Sequence, residues 1–204
     1  MSGSSTCRGR GYARQGHFCK WLDLDRLSRL LLPNDTIHRI RYFTAPIQPR
    51  PNSPNQGAHQ QIYLRALRTI PHLTIHEGTF RTDPRWMPLE TPLPDGLTMV
   101  RVLKTEEKGS DVHLATYLVS DAYEKDFEKA VVISNDSDLC TPIRLVRTRL
   151  GFEVLVYNPG KRHSSELQRD ATEMRNLRRG PIVGSQFASI LTDAQGTFTK
   201  PRGW

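Results

Sequence analysis

The chain has 204 residues, 37% of them hydrophobic, and its 29 Lys and Arg against 21 Asp and Glu give a formal net charge of +8. That length suits one domain or one domain with an extension, and the charge favours a polyanionic partner, RNA or DNA, although a soluble basic protein would show the same balance. The cysteines, Cys7, Cys19 and Cys140, lack Cys-x-x-Cys spacing, which argues against a disulfide framework or zinc knuckle and fits a reducing cytoplasm. With no long apolar run and no signal peptide, a membrane partner is not expected.

The first half of the chain alternates between periodic apolar segments and proline-rich stretches. Gly, Ser and Arg dominate residues 1–16, which predicts a poorly ordered or atypical segment. Apolar spacing and helix-ending prolines then distinguish helices from strands. The predicted elements are helices over 22–32 and 59–69, strands over 37–43, 73–80 and 99–103, and irregular segments over 46–57 and 82–98.

The second half reads as a regular alternation of helices and strands. Helices are predicted over 111–127 and 138–150, and strands over 130–134 and 152–157. This order predicts an α/β fold in which helices cover both faces of a parallel sheet. Two short helical stretches are predicted in the tail that begins near residue 164.

Acidic residues gather where the strand at 130–134 ends. Asp136 and Asp138 follow that strand, and Asp111 opens the preceding helix. A strand's carboxyl end and a neighbouring helix's N-terminus share one edge of such a sheet, so the three carboxylates are expected to converge. Carboxylate oxygens with water suit Mg²⁺ or Mn²⁺, and such a metal supports phosphodiester hydrolysis.

The same acids have a simpler interpretation as helix caps. Asp is favoured at helix N-termini, and Asp111 and Asp138 each fit that role, whereas Asp136 is harder to explain as a cap because Asp138 follows it. The chain has no glycine-rich nucleotide-binding motif and no Gly-x-Ser-x-Gly elbow, which disfavours those classes of enzyme.

Basic residues follow the acids along the chain. Arg144 and Arg147 lie on the next predicted helix, and Lys161 and Arg162 follow the last predicted strand. Because arginine forms paired hydrogen bonds with phosphate, these side chains predict an RNA-binding rim, with a solvated helix face as the alternative.

For the three tryptophans and two of the histidines the sequence predicts no role in a functional site. Trp21, Trp86 and Trp204 are expected to anchor packing, and His72 and His76 are expected to be exposed on a strand.

Several motifs together resemble one family. They are Lys-Trp-Leu-Asp-Leu at 20–24, Ile-Arg-Tyr-Phe-Thr-Ala at 40–45, Glu-Glu-Lys-Gly-Ser-Asp-Val at 106–112, Ser-Asn-Asp-Ser-Asp-Leu at 134–139 and the closing Lys-Pro-Arg-Gly-Trp. In this order they resemble the NYN domain, also called LabA-like or domain of unknown function 88, of the PIN-like nuclease group. The similarity runs from about residue 11 to residue 204.

The resemblance implies a fold and a site. The fold is a PIN-like Rossmannoid three-layer sandwich with a mostly parallel central sheet, and the site is a divalent-metal ribonuclease site. Asp111 matches the acid of the family's Lys-Gly-x-Asp motif, and Asp136 and Asp138 match those of Ser-x-Asp-x-Asp. Ser134 is placed to position a phosphate or water, and Lys108 to orient the loop or contact substrate.

The beginning of the chain departs from the family pattern. The family opens with an apolar strand that ends in Asp-Gly-x-Asn, whose Asp is a metal ligand, whereas Ser4 to Cys7 stand at the aligned position. This predicts a sheet without the usual first strand and a site with one acid fewer. Either the sequence is truncated or shifted in frame near residue 1, or the protein is a degenerate member.

These observations predict three segments and two alternative functions. The segments are an atypical stretch over 1–16, an NYN/PIN-like domain over 17–160 and a basic extension over 161–204 that packs on the domain. The expected function is a cytoplasmic, Mg²⁺- or Mn²⁺-dependent ribonuclease, with RNA as partner and self-association left open. The first alternative is a catalytically degenerate module that binds RNA or protein, and a weaker one is a phosphatase acting on small phosphoesters.

Overall fold

The computed structural model describes residues 20–47 and 54–203. These residues form six α-helices and nine β-strands. In chain order the elements are α1 (Leu24–Leu31), β1 (Ile40–Thr44), α2 (Gln56–Leu67), β2 (Leu73–Glu77), β3 (Thr79–Pro88), β4 (Met99–Lys108), α3 (Ser110–Tyr123), β5 (Lys129–Ile133), α4 (Cys140–Thr148), β6 (Glu153–Asn158), α5 (Ser165–Asp170), β7 (Glu173–Asn176), α6 (Arg179–Gly184), β8 (Ile190–Asp193) and β9 (Gly196–Thr199).

The predicted parallel strands are present, in two groups. β1 pairs in parallel with β2, and β6 pairs in parallel with β5 on one side and β7 on the other. β3 with β4 and β8 with β9 form two antiparallel hairpins. Since the described chain alternates helices with parallel strands, the α/β fold class is confirmed.

Helices cover both faces of these parallel strands. On one face, Leu118 of α3 lies in a buried cluster with Ala130 and Val132 of β5. On the other face, Leu27 of α1 lies in a cluster that also includes Val131. β5 therefore alternates its side chains between two helical layers, as expected of a strand in the middle layer of a three-layer sandwich.

α3 reaches across both groups of strands. Asp121, near its end, accepts two hydrogen bonds from Arg41 of β1, at 2.7 Å from Nε and 2.6 Å from Nη2. Its apolar residues meanwhile pack on β5. Yet among the described residues β1 and β5 are not hydrogen-bonded to each other, and each has one unpaired edge. The expectation of a missing first strand concerns residues 1–16, which lie outside the described residues.

The prediction of an irregular segment over 82–98 is wrong for its first part. β3 extends to Pro88, and β4 extends well beyond the short strand predicted over 99–103, so a long hairpin forms. The prolines at 84 and 88 suggested a loop. Proline lacks only a backbone donor, however, and a hairpin tolerates it where that donor would point away from the partner strand.

Other predictions need smaller corrections. The strand predicted over 73–80 is interrupted at Gly78, whose N–H donates to the Thr44 carbonyl at 2.7 Å. In the tail, α5 and α6 match the two predicted helical stretches, but β7, β8 and β9 were not predicted. Their strands have only four residues each, which is too short for a clear alternation of apolar and polar residues.

Trp21 and Trp86 differ in how deeply they are buried. Trp21 is fully buried, and its Nε1 donates to the Ala188 carbonyl at 2.8 Å, as expected of a packing anchor. Trp86 is 64% exposed on β3, so its predicted packing role is wrong. Trp204 lies outside the described residues. None of the helices in the described part of the chain is long and apolar enough to cross a membrane.

Candidate acidic site at the carboxyl edge of the sheet

The turn after β5 is organised by hydrogen bonds between neighbouring residues. The Ser134 hydroxyl accepts from the Asp136 N–H at 3.1 Å, and Asp136 Oδ1 accepts from the Asp138 N–H at 3.0 Å. Asp136 thereby caps the 3₁₀ turn Ser137–Leu139 that leads into α4. The expectation that Asp136 is hard to explain as a cap is therefore wrong. Its second carboxylate oxygen has no part in that bond, and Asp138 is exposed.

α3 begins without a side-chain cap. Gly109 occupies its N-cap position with φ +100°, a left-handed conformation that favours glycine. Asp111 is therefore the acidic residue of the first helical turn rather than the cap itself. A carboxylate there interacts favourably with the helix dipole.

The ionisation of Asp111 reflects other acids near it. Burial is the main reason that the pKa of Asp111 is raised, and the negative charges of Asp136, Glu107 and Asp138 raise it further. Such coupling requires the four carboxyl groups to be near one another. Asp136 and Asp138 therefore lie within electrostatic range of Asp111, and a shared site for the three acids stays a prediction.

Glu107 is an acid that sequence reasoning missed as a site residue. It stands near the end of β4, and its Oε1 accepts a hydrogen bond from the hydroxyl of the buried Ser110. Its place in the Glu-Glu-Lys-Gly-Ser-Asp segment was visible, but nothing local distinguished it from Glu106. Glu106 instead pairs with Lys104 and Lys108, which hold its pKa at about 2.

The acids fit a cation that keeps much of its water. Within the described residues, no group of three or more His, Cys, Asp or Glu is arranged to hold a metal ion by itself. Mg²⁺ is usually bound through one or two carboxylates, with water and substrate phosphates completing its octahedron. The excess negative charge around Asp111 suits that mode of binding, and a closed all-protein cage is not built here.

Two asparagines hold a basic loop against this edge. Asn135 Nδ2 donates to the Arg162 carbonyl at 3.0 Å, and its Oδ1 accepts from the Ser164 N–H at 2.9 Å. The fully buried Asn158, at the end of β6, also donates to the Arg162 carbonyl, at 3.1 Å. The side chains of Lys161 and Arg162 are exposed and form no ion pair within residues 20–47 and 54–203. Lys161 and Arg162 thus lie in a loop that is hydrogen-bonded to Asn135, the residue before Asp136.

The other three residues predicted to bind RNA form ion pairs or hydrogen bonds within the protein. Lys108 pairs with Glu106 at 3.0 Å, and Arg144 lies 3.7 Å from Asp170. Arg147 Nη1 donates to the carbonyls of Arg169 and Ala171, at 3.2 and 2.8 Å. Arg147 therefore has a structural role in joining α4 to the end of α5.

His72 and His76 contact different parts of the molecule. His72 Nε2 lies 3.0 Å from Asp25 on α1, whereas His76 Nε2 lies 3.2 Å from Arg41 Nη1. Both are half-buried, so the expectation of exposed side chains is wrong. A guanidinium only donates, so Nε2 of His76 acts as an acceptor and its ring is neutral.

Comparisons with known proteins place the chain in a family. A curated relative is 6-hydroxy-3-succinoylpyridine 3-monooxygenase HspA of Pseudomonas putida, 23% identical over 178 residues that make up 81% of this chain and 57% of that protein. The chain thus spans a little over half the length of this relative. A solved structure of a protein of unknown function from Vibrio parahaemolyticus is 14% identical with a TM-score of 0.49, covering 78% of this chain and 80% of that one. The model of the NYN domain matches residues 10–178, and the chain therefore belongs to the NYN domain family of the PIN-like superfamily.

Proposed function

We propose that the protein is a metal-dependent ribonuclease that hydrolyses RNA phosphodiester bonds at the acidic site. The observation that carries this proposal is the coupling of Asp111 with Asp136, Asp138 and Glu107 at the carboxyl edge of the sheet. Ligands of open α/β sheets bind at that edge. Membership of a nuclease-like family supports the same chemistry.

Each residue has a stated task in this proposal. Asp111, Asp136 and Asp138 would hold Mg²⁺ or Mn²⁺, and the ion would supply activation of water and neutralisation of charge on the phosphate. Ser134 fixes the turn that presents Asp136, and its hydroxyl assists in positioning water or phosphate. Lys161 and Arg162 bind RNA phosphates beside the acids, as basic side chains commonly do. The free Cys140 thiol is consistent with the cytoplasm as the proposed location.

A catalytically degenerate RNA-binding or protein-interaction module is the second candidate. It is favoured by Ser4 to Cys7 at the aligned position of the family's first acid. It is also consistent with the absence, among the described residues, of a metal-holding group. In that case the basic loop would keep its function, and the acids would have lost theirs.

Cleavage of an end-labelled RNA distinguishes the two candidates. The wild-type protein is incubated with Mn²⁺ or with EDTA, beside Asp136→Asn and the control Asp23→Asn. Asn is as good an N-cap as Asp, so the control preserves the cap of α1. The ribonuclease proposal expects cleavage in Mn²⁺ by wild type and control, and none with EDTA or Asp136→Asn. No cleavage by a folded wild-type protein that still binds RNA would favour the degenerate module.

A further inference from the structure

The hairpin of β3 and β4 extends from the acidic site with little support from other elements. In the described part of the chain each strand pairs only with the other. The hairpin's base is fixed, because Gly78 bonds to Thr44 and Glu107 bonds to Ser110. Isolated two-stranded hairpins are marginally stable in water. We therefore expect the distal half of this hairpin to be stabilised by a bound partner.

The register assigns the exposed apolar residues to one face. Trp86 stands opposite Arg101, and Pro84 opposite Leu103, so these side chains share a face with Met99. On that face Trp86 is 64%, Leu103 75% and Met99 39% exposed. Half of the exposed large apolar side chains in the described residues lie between positions 86 and 103. Exposed apolar side chains concentrated on one face, as Trp86, Met99 and Leu103 are, mark a binding surface.

The charges of the hairpin differ between its two halves. Near the base, Arg81 pairs with Asp83, and Lys104 and Lys108 pair with Glu106. In the distal strands, Arg85 and Arg101 form no ion pair with any described residue, and no acid stands between positions 84 and 88 or 99 and 103. The register places Arg101 on the face of Trp86 and Arg85 on the opposite face, so one unpaired cation lies beside the exposed indole.

The edges of the hairpin argue against a second copy of the chain. Pro84 and Pro88 remove two donors from the outer edge of β3, which prevents regular strand pairing there. Antiparallel pairing of two β4 edges about Arg101 would place the two Arg101 side chains opposite each other. Like charges in that position are destabilising. An exposed indole beside the unpaired Arg101 instead matches sites for single-stranded nucleic acid, where bases stack on aromatic rings and cations follow the phosphates.

We propose that the face carrying Trp86, Met99, Arg101 and Leu103 is a binding surface for single-stranded RNA. It holds a segment of the strand whose continuation lies over the acidic site. β4 supplies the connection, because it runs from Arg101 on this face to Glu107 beside Asp111. This inference rests on the proposed function for the identity of the ligand, but binding on the hairpin requires neither metal nor cleavage.

Binding of a fluorescein-labelled 12-nucleotide oligouridylate tests the surface directly. Measurements are made in EDTA, so that a failure of cleavage has no influence on the result. Trp86→Ala is expected to weaken binding about tenfold and Trp86→Phe much less, because a phenyl ring still stacks. Arg101→Gln is expected to weaken binding and lower the slope of log K against log salt by about one.

Met87→Ala is the matched control. It removes a 39%-exposed apolar side chain from the opposite face of the same strand, so its affinity is expected to equal that of wild type.

Equal affinities of wild type, Trp86→Ala and Arg101→Gln would overturn the inference. So would sedimentation in which wild type is a dimer and Trp86→Ala a monomer with unchanged RNA affinity, since the surface would then join two copies. Cleavage lost in Asp136→Asn with unchanged binding by Trp86→Ala would overturn the inference alone. Weaker binding by Trp86→Ala, together with cleavage that Asp136→Asn does not reduce, would overturn the ribonuclease proposal alone.

Discussion

The ionisation of Asp111 reflects the crowding of acids at one edge of the sheet. Its pKa is raised chiefly by burial and then by neighbouring carboxylates, so the folded state holds its proton more tightly than the unfolded state does. Stability is therefore lost as the pH rises above the ordinary pKa of 3.8. A bound divalent cation would reverse this penalty, because its positive charge favours the carboxylate.

Asp111→Asn is therefore expected to stabilise the metal-free protein at pH 7. Thermal unfolding in EDTA should show a midpoint raised by about 1–4 °C, and the gain should disappear near pH 3, where Asp111 is protonated in both states. Addition of Mn²⁺ should then stabilise wild type more than the variant. An equal gain at pH 3 and pH 7 would contradict the electrostatic explanation.

Asn158 is a buried residue whose amide holds the basic loop. It donates to the Arg162 carbonyl and accepts from the Gly160 N–H at 2.8 Å. Asn158→Ala leaves buried polar groups without their partner, so unfolding in urea is expected to show a loss of about 1–3 kcal/mol. The exposed Asn34→Ala is the control and is expected to change stability little. A loss no larger than the control's would show that the loop is held by other contacts.

At the scale of elements, α3 is joined to β1 and β2 by a polar and aromatic cluster. Arg41 bonds to Asp121 and lies 4.3 Å from the centre of the Tyr117 ring, and the His76 ring centre lies 4.2 Å from that ring. Phe43 stacks on His76 at 5.1 Å. The pKa of His76 is lowered by burial first, and then by the charge of Arg41 and by His113, against a smaller opposing effect of Asp121.

This cluster predicts a loss of stability on mild acidification. Because the folded pKa of His76 lies below 6.5, the unfolded state binds the proton first as the pH falls. Stability conferred by the neutral ring is present above pH 6.5 and is lost below it. Urea unfolding at pH 7.5 and pH 5 should show a smaller difference for His76→Phe than for wild type. The mostly exposed His38→Gln is the control, and a wild-type difference retained in His76→Phe would contradict the assignment.

Elements that are determined by neighbouring residues were predicted well from the sequence, and elements that depend on distant residues were not. The apolar run of β5 and the acids after it were identified because strand, turn and cap are set by adjacent residues such as Ile133 and Asp136. The hairpin was missed because pairing between residues far apart in the chain, such as Pro84 with Leu103, overrides the local signal of the proline. The same holds for site residues, since Glu107 and Asn158 gain their roles only from partners that the fold supplies.

At the scale of the whole molecule, stability is expected to be concentrated at β6. This strand is paired on both edges, and five of its six residues are buried, whereas β1 and β5 each have an unpaired edge within the described residues. Native-state hydrogen exchange should therefore show the slowest amides in β6, and β3 and β4 should exchange much faster. Fast exchange in β6 would contradict the placement of the core.

The proposed ribonuclease activity requires the carboxylates at the carboxyl edge to share one divalent cation. Titration of Mn²⁺ followed by electron paramagnetic resonance tests it most directly, because it requires neither RNA nor turnover. Wild type and Asp23→Asn are expected to bind one ion alike, and Asp111→Asn and Asp136→Asn are expected to bind it at least tenfold more weakly. Equal affinity in all four proteins, or no binding by wild type, would contradict the claim.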